Sequence, residues 1–157
     1  TLFPYTTLFR SKRFKRAVYF KVYLTNPSMR AALFGQLTAD SPALAALTET
    51  AIYSQWSHRA MASLYYARWA TGEIDLVSLN DALQLPAWAV EIKWSDRPVK
   101  HLDELDNCVA FVEKNPKLLQ PFLMTTRTIA DTQLSYKGVQ FMFEPAALYA
   151  YALGTEI

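Results

Sequence analysis

The sequence has little cysteine, glycine or histidine, and each shortage excludes a kind of protein. Cys108 is the only cysteine among 157 residues, so no intrachain disulfide can form, which favours a reducing, intracellular setting. The four glycines form no G-x-x-x-x-G-K-[ST] loop, so this chain holds no nucleotide-binding P-loop. His58 and His101 lie far apart and lack the spacing of metal ligands, so both are expected on the surface or on helices.

Long apolar runs and a strong net charge are also missing. No apolar stretch approaches the roughly 18 residues of a membrane helix. A composition of 52% hydrophobic and 19% charged residues predicts one soluble, cytoplasmic globular domain with its own core. The formal charge of +2 neither supports nor excludes a nucleic-acid partner. The basic cluster at residues 12–16, KRFKR, either contacts phosphates or belongs to a solvated linker.

The first eleven residues, TLFPYTTLFRS, resemble the conceptual translation of a sequencing-library adapter. We therefore expect residues 1–11 to be non-native, the natural sequence to begin near Lys12, and the true N-terminus to be missing. The alternative is an ordinary apolar N-terminus. The predicted division is a non-native segment at 1–11, a remnant of an upstream linker or winged-helix-like region at 12–38, and the main domain at 39–157.

Hydrophobic periodicity predicts alternating helices and strands. Asn26 and Pro27 are an N-cap and a first helical residue, and Gly35 ends that helix. Ser41 is predicted to cap the longest helix. The predicted helices span residues 26–34, 42–61, 98–114 and 145–153; the predicted strands span residues 19–24, 64–69, 122–126 and 139–143, with two more inside 72–94. This order predicts a mixed α/β domain with a central mixed sheet and flanking helices.

The stretch at residues 72–94, GEIDLVSLNDALQLPAWAVEIKW, carries charges inside two apolar strands. Because strand side chains alternate between faces, Glu91 and Lys93 share one face of the second strand, and Asp75 is predicted on the corresponding face of the first. If the two strands pair as a hairpin, the three groups converge at one end of the sheet. Charges beside an apolar sheet are costly unless they pair or hold a metal, so a site is expected here.

These charges, together with a helical carboxylate at Glu49, resemble the PD-(D/E)XK nuclease superfamily, whose fold is restriction-endonuclease-like. Its core is a helix, three antiparallel strands, a helix and a strand. The matching positions are Glu49 on the first helix, Asp75 on the second strand and Glu91-Ile92-Lys93 on the third. Ile74 stands where the superfamily has a proline before the aspartate.

A narrower resemblance covers Phe14 to about Thr128. The segments FKVYLTNPSMRAALFG, LTETAIYSQW, LYYARWATGEIDLV, AVEIKWSDR and MTTRT are similar to an uncharacterised C-terminal domain that follows an AAA-type ATPase module in prokaryotic ATP-binding proteins. The resemblance implies an upstream ATPase as a partner, with ATP bound only by that missing N-terminal part. It also implies DNA as a possible partner and no membrane.

The chemistry that the resemblance implies is metal-assisted phosphodiester hydrolysis. Asp75 and Glu91 would hold Mg²⁺ or Mn²⁺, with the Ile92 carbonyl as a further ligand. Lys93 would orient the attacking water, help to deprotonate it, or stabilise the transition state. Glu49 would hold a metal-bound water or a second ion. Asp75→Ala is then expected to abolish DNA cleavage while leaving the fold intact.

Other readings of these residues stay open. Asp75, Glu91 and Lys93 also fit a structural ion-pair network or the relic of a dead active site, and Glu49 also fits a helical acid paired with a base. Non-nuclease alternatives are a silent regulatory module that contacts DNA or a protein, and an interaction domain that uses the aromatic strand at 64–69.

Four further interpretations concern single residues or residue types. Glu73 is predicted to be an exposed turn residue that could assist the site. Cys108 and the tryptophans are expected in the core, although tryptophan also suits base stacking. Arg127 either meets a phosphate or is a solvated strand end.

Overall fold

The computed structural model describes residues 21–24, 26–59, 64–80 and 82–155. The predicted adapter-derived segment at 1–11, the basic cluster at 12–16 and residues 19–20 of the first predicted strand lie outside these ranges. Residues 21–24 have no regular secondary structure, so the strand predicted for them is wrong. Within the described ranges, no helix has the length and apolar character needed to cross a bilayer.

Two helices precede the sheet. Helix α1, Pro27–Phe34, begins as predicted: the Asn26 side chain accepts a hydrogen bond from the Ser28 amide at 2.7 Å, and Gly35 follows the helix with φ of 81°. Helix α2, Leu44–Ser57, starts later than predicted, with Ala43 at the N-cap position and no side-chain cap. The predicted cap Ser41 instead accepts a 3.4 Å hydrogen bond from the Ala43 amide within the preceding turn.

Six strands form one mixed sheet in the order β1-β2-β3-β4-β6-β5. The strands are β1 Leu64–Trp69, β2 Gly72–Asn80, β3 Leu85–Glu91, β4 Phe122–Thr126, β5 Thr132–Tyr136 and β6 Val139–Pro145. Strands β1, β2 and β3 are antiparallel neighbours, whereas β4 pairs in parallel with both β3 and β6. The mixed α/β architecture is confirmed. Strand β5, an edge strand antiparallel to β6, was not predicted.

The long helix predicted before β4 is three shorter elements. They are α3 Arg97–Lys100, a 3₁₀ turn at Leu102–Leu105 and α4 Asp106–Lys114. Helix α5, Ala146–Thr155, follows β6. The apolar residues that suggested one helix face the core from both the 3₁₀ turn and α4.

The sheet is covered on both faces. One buried cluster joins the sheet to the 3₁₀ turn and α4, and it includes Ile74, Val77, Ala89 and Cys108. The other joins the sheet to α2 and α5, and its members are Ile52, Tyr53, Tyr66, Leu76, Val90, Ile92, Ala146 and Leu153. Each face thus buries apolar side chains under at least one helix.

An irregularity in β2 overturns the predicted alternation there. Tyr65 pairs with Val77, but Ala67 pairs with Ile74, so two steps along β1 match three along β2. The extra residue lies at positions 75 and 76, as in a β-bulge. As a result Ile74 and Leu76, predicted to share a face, pack in different clusters. Alternation along β3 is confirmed, because Trp88, Val90 and Ile92 pack with one cluster and Ala89 with the other.

Candidate active site

Asp75 and Glu91 lie where the β2–β3 ladder stops. The last paired residues toward this end are Leu76 and Val90. Beyond them the Ile92 amide donates to Asp75 Oδ2 at 2.9 Å, and the Asp75 amide donates to Glu91 Oε2 at 3.4 Å. Each carboxylate therefore accepts from the opposite strand in place of a backbone carbonyl. These two hydrogen bonds across the strands hold Asp75 and Glu91, which are only 4% and 6% exposed.

A cation outside the predicted set contacts Asp75. Lys21 Nζ lies 2.6 Å from Asp75 Oδ1, 3.3 Å from Glu49 Oε2 and 3.8 Å from Glu73 Oε1. Burial disfavours the charged ammonium, but the attraction of Asp75 and the other acids outweighs it, so the pKa of Lys21 lies above its usual value. One ammonium thus neutralises part of a cluster of three carboxylates.

Glu49 and Glu73 approach this ammonium from two elements. Burial, and then repulsion from Asp75, raise the pKa of Glu49, whose Oε2 also accepts a 3.2 Å hydrogen bond from the Tyr23 hydroxyl. Glu73 was predicted to be an exposed turn residue, which is wrong. It belongs to β2 and accepts a hydrogen bond from the Tyr66 hydroxyl.

Glu91 pairs with the other predicted cation. Lys93 Nζ lies 2.7 Å from Glu91 Oε1, and its side chain is 40% exposed. Burial and the neighbouring Asp75 raise the pKa of Glu91 to about 7, against the opposing effect of Lys93. For Lys93 burial works against the charge, but Glu91 raises the pKa above its usual value. Lys93 is therefore an ammonium at neutral pH, which suits it to stabilise negative charge and does not suit it to accept a proton.

The backbone of Lys93 is fixed by a buried threonine. Thr125 Oγ1 accepts from the Lys93 amide at 2.8 Å and donates to the Lys93 carbonyl at 2.9 Å. Thr125 is fully buried on β4. These two hydrogen bonds continue the β3–β4 pairing past Glu91 and Met124, where the regular ladder ends.

The predicted site residues are therefore brought into one neighbourhood, but with different partners from those expected. Glu49 and Asp75 share Lys21, while Glu91 pairs with Lys93. Ile92 contributes its amide to Asp75, and its role as a carbonyl ligand stays a prediction. Among the residues that the structure describes, no group of three or more His, Cys, Asp or Glu side chains is arranged to hold a metal.

Two polar residues that support this region, Lys21 and Asp96, were not predicted from the sequence. Lys21 falls in the segment assigned to an upstream linker, and no local pattern marks it. Asp96 was not among the predicted site residues. Its Oδ1 accepts from the amides of residues 127–129 at 3.0, 2.8 and 3.3 Å, and its Oδ2 accepts from the Thr128 hydroxyl at 2.6 Å. Asp96 thereby ties the chain after β3 to the chain after β4.

Most of the remaining interpretations are confirmed. Cys108 is buried, as expected of a core residue, and burial followed by repulsion from Glu91 raises its thiol pKa well above the usual value. The exposed His58 ends α2, and His101 is also exposed. The tryptophans all pack against the buried clusters. The Arg127 guanidinium lies 5.9 Å from the Trp94 ring, at an exposed strand end.

Comparison with known proteins adds no relative to this picture. The chain matches no protein-family model, no curated protein and no solved structure. The geometry of the site and the chemistry of its side chains therefore carry the functional argument.

Proposed function

We propose that this chain is a restriction-endonuclease-like domain of the PD-(D/E)XK type that hydrolyses DNA phosphodiester bonds with a divalent metal ion. In line with the sequence resemblance, it would be the C-terminal domain of an AAA-type ATP-binding protein. The element order supports this: helix α2, antiparallel strands β1 to β3, helix α4 and strand β4 follow the order of that superfamily's core.

The observation that carries the proposal is the meeting of Asp75 and Glu91 at the open end of the β2–β3 ladder, with Glu49 beside them. All three are carboxylates, the hard oxygen donors that Mg²⁺ and Mn²⁺ prefer. Asp75 and Glu49 already share one cation, the Lys21 ammonium. The chemistry of these donors therefore suits a divalent ion, and Lys21 Nζ occupies the position between Asp75 and Glu49 that such an ion would take.

Each side chain then has a defined task. Asp75 and Glu91 would hold the ion, and Glu49 would hold a second ion or an ion-bound water. A bound divalent ion would lower the pKa of its water and offset charge on the phosphate oxygens. Lys93, protonated and partly exposed, would orient the attacking water and stabilise the charge that develops on the phosphate.

Metal binding tests this proposal directly. Calorimetric titration of Mn²⁺ into the wild type should give heat of binding, and Glu91→Ala should abolish it. Glu113→Ala is the matched control, because Glu113 is an exposed acid on α4 and should bind Mn²⁺ as the wild type does. Cleavage of plasmid DNA should follow the same order. Absence of heat both in the wild type and in a variant that lacks the Lys21 ammonium would count against the nuclease.

A second candidate is favoured by one specific observation. Every carboxylate oxygen of Asp75 and Glu91 already has a hydrogen-bond donor from within the chain. Such saturation suits a structural ion-pair network in a catalytically silent domain that contacts DNA or a protein and regulates the absent ATPase. This candidate predicts no Mn²⁺ heat and no cleavage, together with a strong loss of stability when either acid is removed.

A further inference from the structure

One of the two cations of the site, Lys21, belongs to a segment outside the sheet. Residues 21–24, here called the latch, have no regular secondary structure, and they carry Lys21 to Asp75 on β2 and Glu49 on α2. The charge that neutralises the acids can therefore leave without breaking a helix or a strand.

Several contacts hold the latch in place. The Lys21 ammonium lies 4.5 Å from the centre of the Tyr66 ring, a distance at which a cation is attracted to the ring face. The Tyr23 ring stacks on Tyr53 of α2 with centroids 4.6 Å apart, and its hydroxyl donates to Glu49. The latch is thus anchored by aromatic stacking on α2 next to the acids that Lys21 neutralises.

The charge balance shows what the ammonium does. Glu49, Glu73 and Asp75 carry three formal negative charges when ionised, and Lys21 offsets one of them. With Lys21 present, Asp75 Oδ1 and Glu49 Oε2 already share a cation. A divalent ion that used the same oxygens would bring two like charges within a few ångströms of each other, which is unfavourable in a partly buried site.

We propose that Lys21 is a built-in competitor for the divalent ion, so that the ion enters the site only when the latch withdraws its ammonium from Asp75 and Glu49. This inference rests on the proposed function, because it concerns regulation of the same site. It makes metal loading, and with it hydrolysis, dependent on the position of residues 21–24. A partner that pulls the latch from α2 activates the site without altering a catalytic residue.

Calorimetry on three versions of the full chain tests the proposal. Lys21→Met should bind Mn²⁺ at least tenfold more tightly than the wild type. The matched control Lys137→Met removes another lysine with a 2.7 Å carboxylate partner, Asp106, from an exposed position and should leave the affinity unchanged. Equal affinity of the wild type and Lys21→Met for Mn²⁺ would overturn the competition proposed for Lys21 but would leave the proposed metal site standing. No binding by any version would overturn the latch and the proposed function together.

A second measurement on the wild type avoids any effect of Lys21→Met on folding. Acetic anhydride acetylates free amines, and mass spectrometry gives the labelling of Lys21 relative to Lys137. Adding Mn²⁺ should raise that ratio several-fold, because the released ammonium loses its carboxylate partners. An unchanged ratio at Mn²⁺ concentrations that saturate the calorimetric signal would overturn the proposal.

Discussion

Replacing Asp75 by alanine should destabilise the domain as well as remove a ligand, which revises the expectation that the fold stays intact. The change deletes the acceptor of the Ile92 amide, and a buried hydrogen bond to a charged group contributes about 2 kcal/mol. It also deletes the 2.6 Å pair with Lys21. Breaking a fully buried pair costs about 3–5 kcal/mol.

The ion-pair contribution is smaller here. The Lys21 side chain is 20% exposed and keeps Glu49 at 3.3 Å, so we assign about 1 kcal/mol to the lost pair. The expected total is about 3 kcal/mol. With a urea m-value of about 2 kcal/mol per molar, the unfolding midpoint should fall by about 1.5 M.

Equilibrium urea unfolding followed by circular dichroism is the assay. Asp75→Asn keeps an oxygen for the Ile92 amide and should lose clearly less than Asp75→Ala. The control Asp103→Ala, at an exposed position on the 3₁₀ turn, should stay within about 0.5 kcal/mol of the wild type. An Asp75→Ala midpoint equal to that of the wild type would refute the view that the carboxylate closes the β2–β3 ladder.

Three further substitutions test the supports of the site. Partial burial opposes ionisation of Asp96, but hydrogen bonds from residues 127–129 lower its pKa below 3.8. The ionised carboxylate therefore stabilises the folded domain above that pH, and this stabilisation is lost as the pH falls through the folded-state pKa. Asp96→Ala should lower the free energy of unfolding by about 1–2 kcal/mol at pH 7, measured in urea. This difference from the wild type should shrink below about pH 4. A difference that grows in acid would contradict the prediction. Thr125→Val should cost about 2–3 kcal/mol, because it leaves the Lys93 amide and carbonyl buried without partners, whereas Thr125→Ser should be milder in thermal unfolding. Gly72→Ala should lower the melting temperature, because a Cβ there would lie 2.7 Å from an aromatic ring atom and 2.6 Å from an amide oxygen; an unchanged melting temperature would show that both neighbours move freely.

The architecture could be predicted because each strand bears a local signal. Strand β1 is rich in aromatic residues, and along the end of β3 the bulky Trp88 and Val90 alternate with Ala89 and Glu91, so the face assignments of β3 hold. Strand β5, TQLSY, was missed because a short polar edge strand lacks an apolar run. The break between α3 and α4 was missed because Leu102, Leu105 and Val109 keep helical spacing through the 3₁₀ turn.

The acids of the site could be predicted for a related reason, because charges inside apolar strands stand out. The bulge at Asp75 could not be predicted, since it becomes visible only when β1 and β2 are paired. The role of Lys21 could not be predicted either. Its partners Glu49 and Asp75 lie 28 and 54 positions away along the chain, and nothing in the local sequence around Lys21 specifies a partner. Long-range ion pairs are a property of the folded chain, which periodicity does not report.

The two cations of the site differ in how firmly the fold holds them, and this difference bears on whether the site is live. Lys93 follows β3 directly, and Thr125 fixes both its amide and its carbonyl, so its backbone keeps its place beside Glu91 as long as the sheet is intact. Lys21 has no such backbone support from the sheet, because residues 21–24 belong to no strand or helix. Under the proposed function, a divalent ion that reaches Asp75 would displace Lys21 and break only side-chain contacts, while the backbone of Lys93 would keep its place beside Glu91. Displacement of Lys21 from Asp75, with Lys93 retained, would accordingly be the step that separates a working nuclease from a permanent ion-pair network.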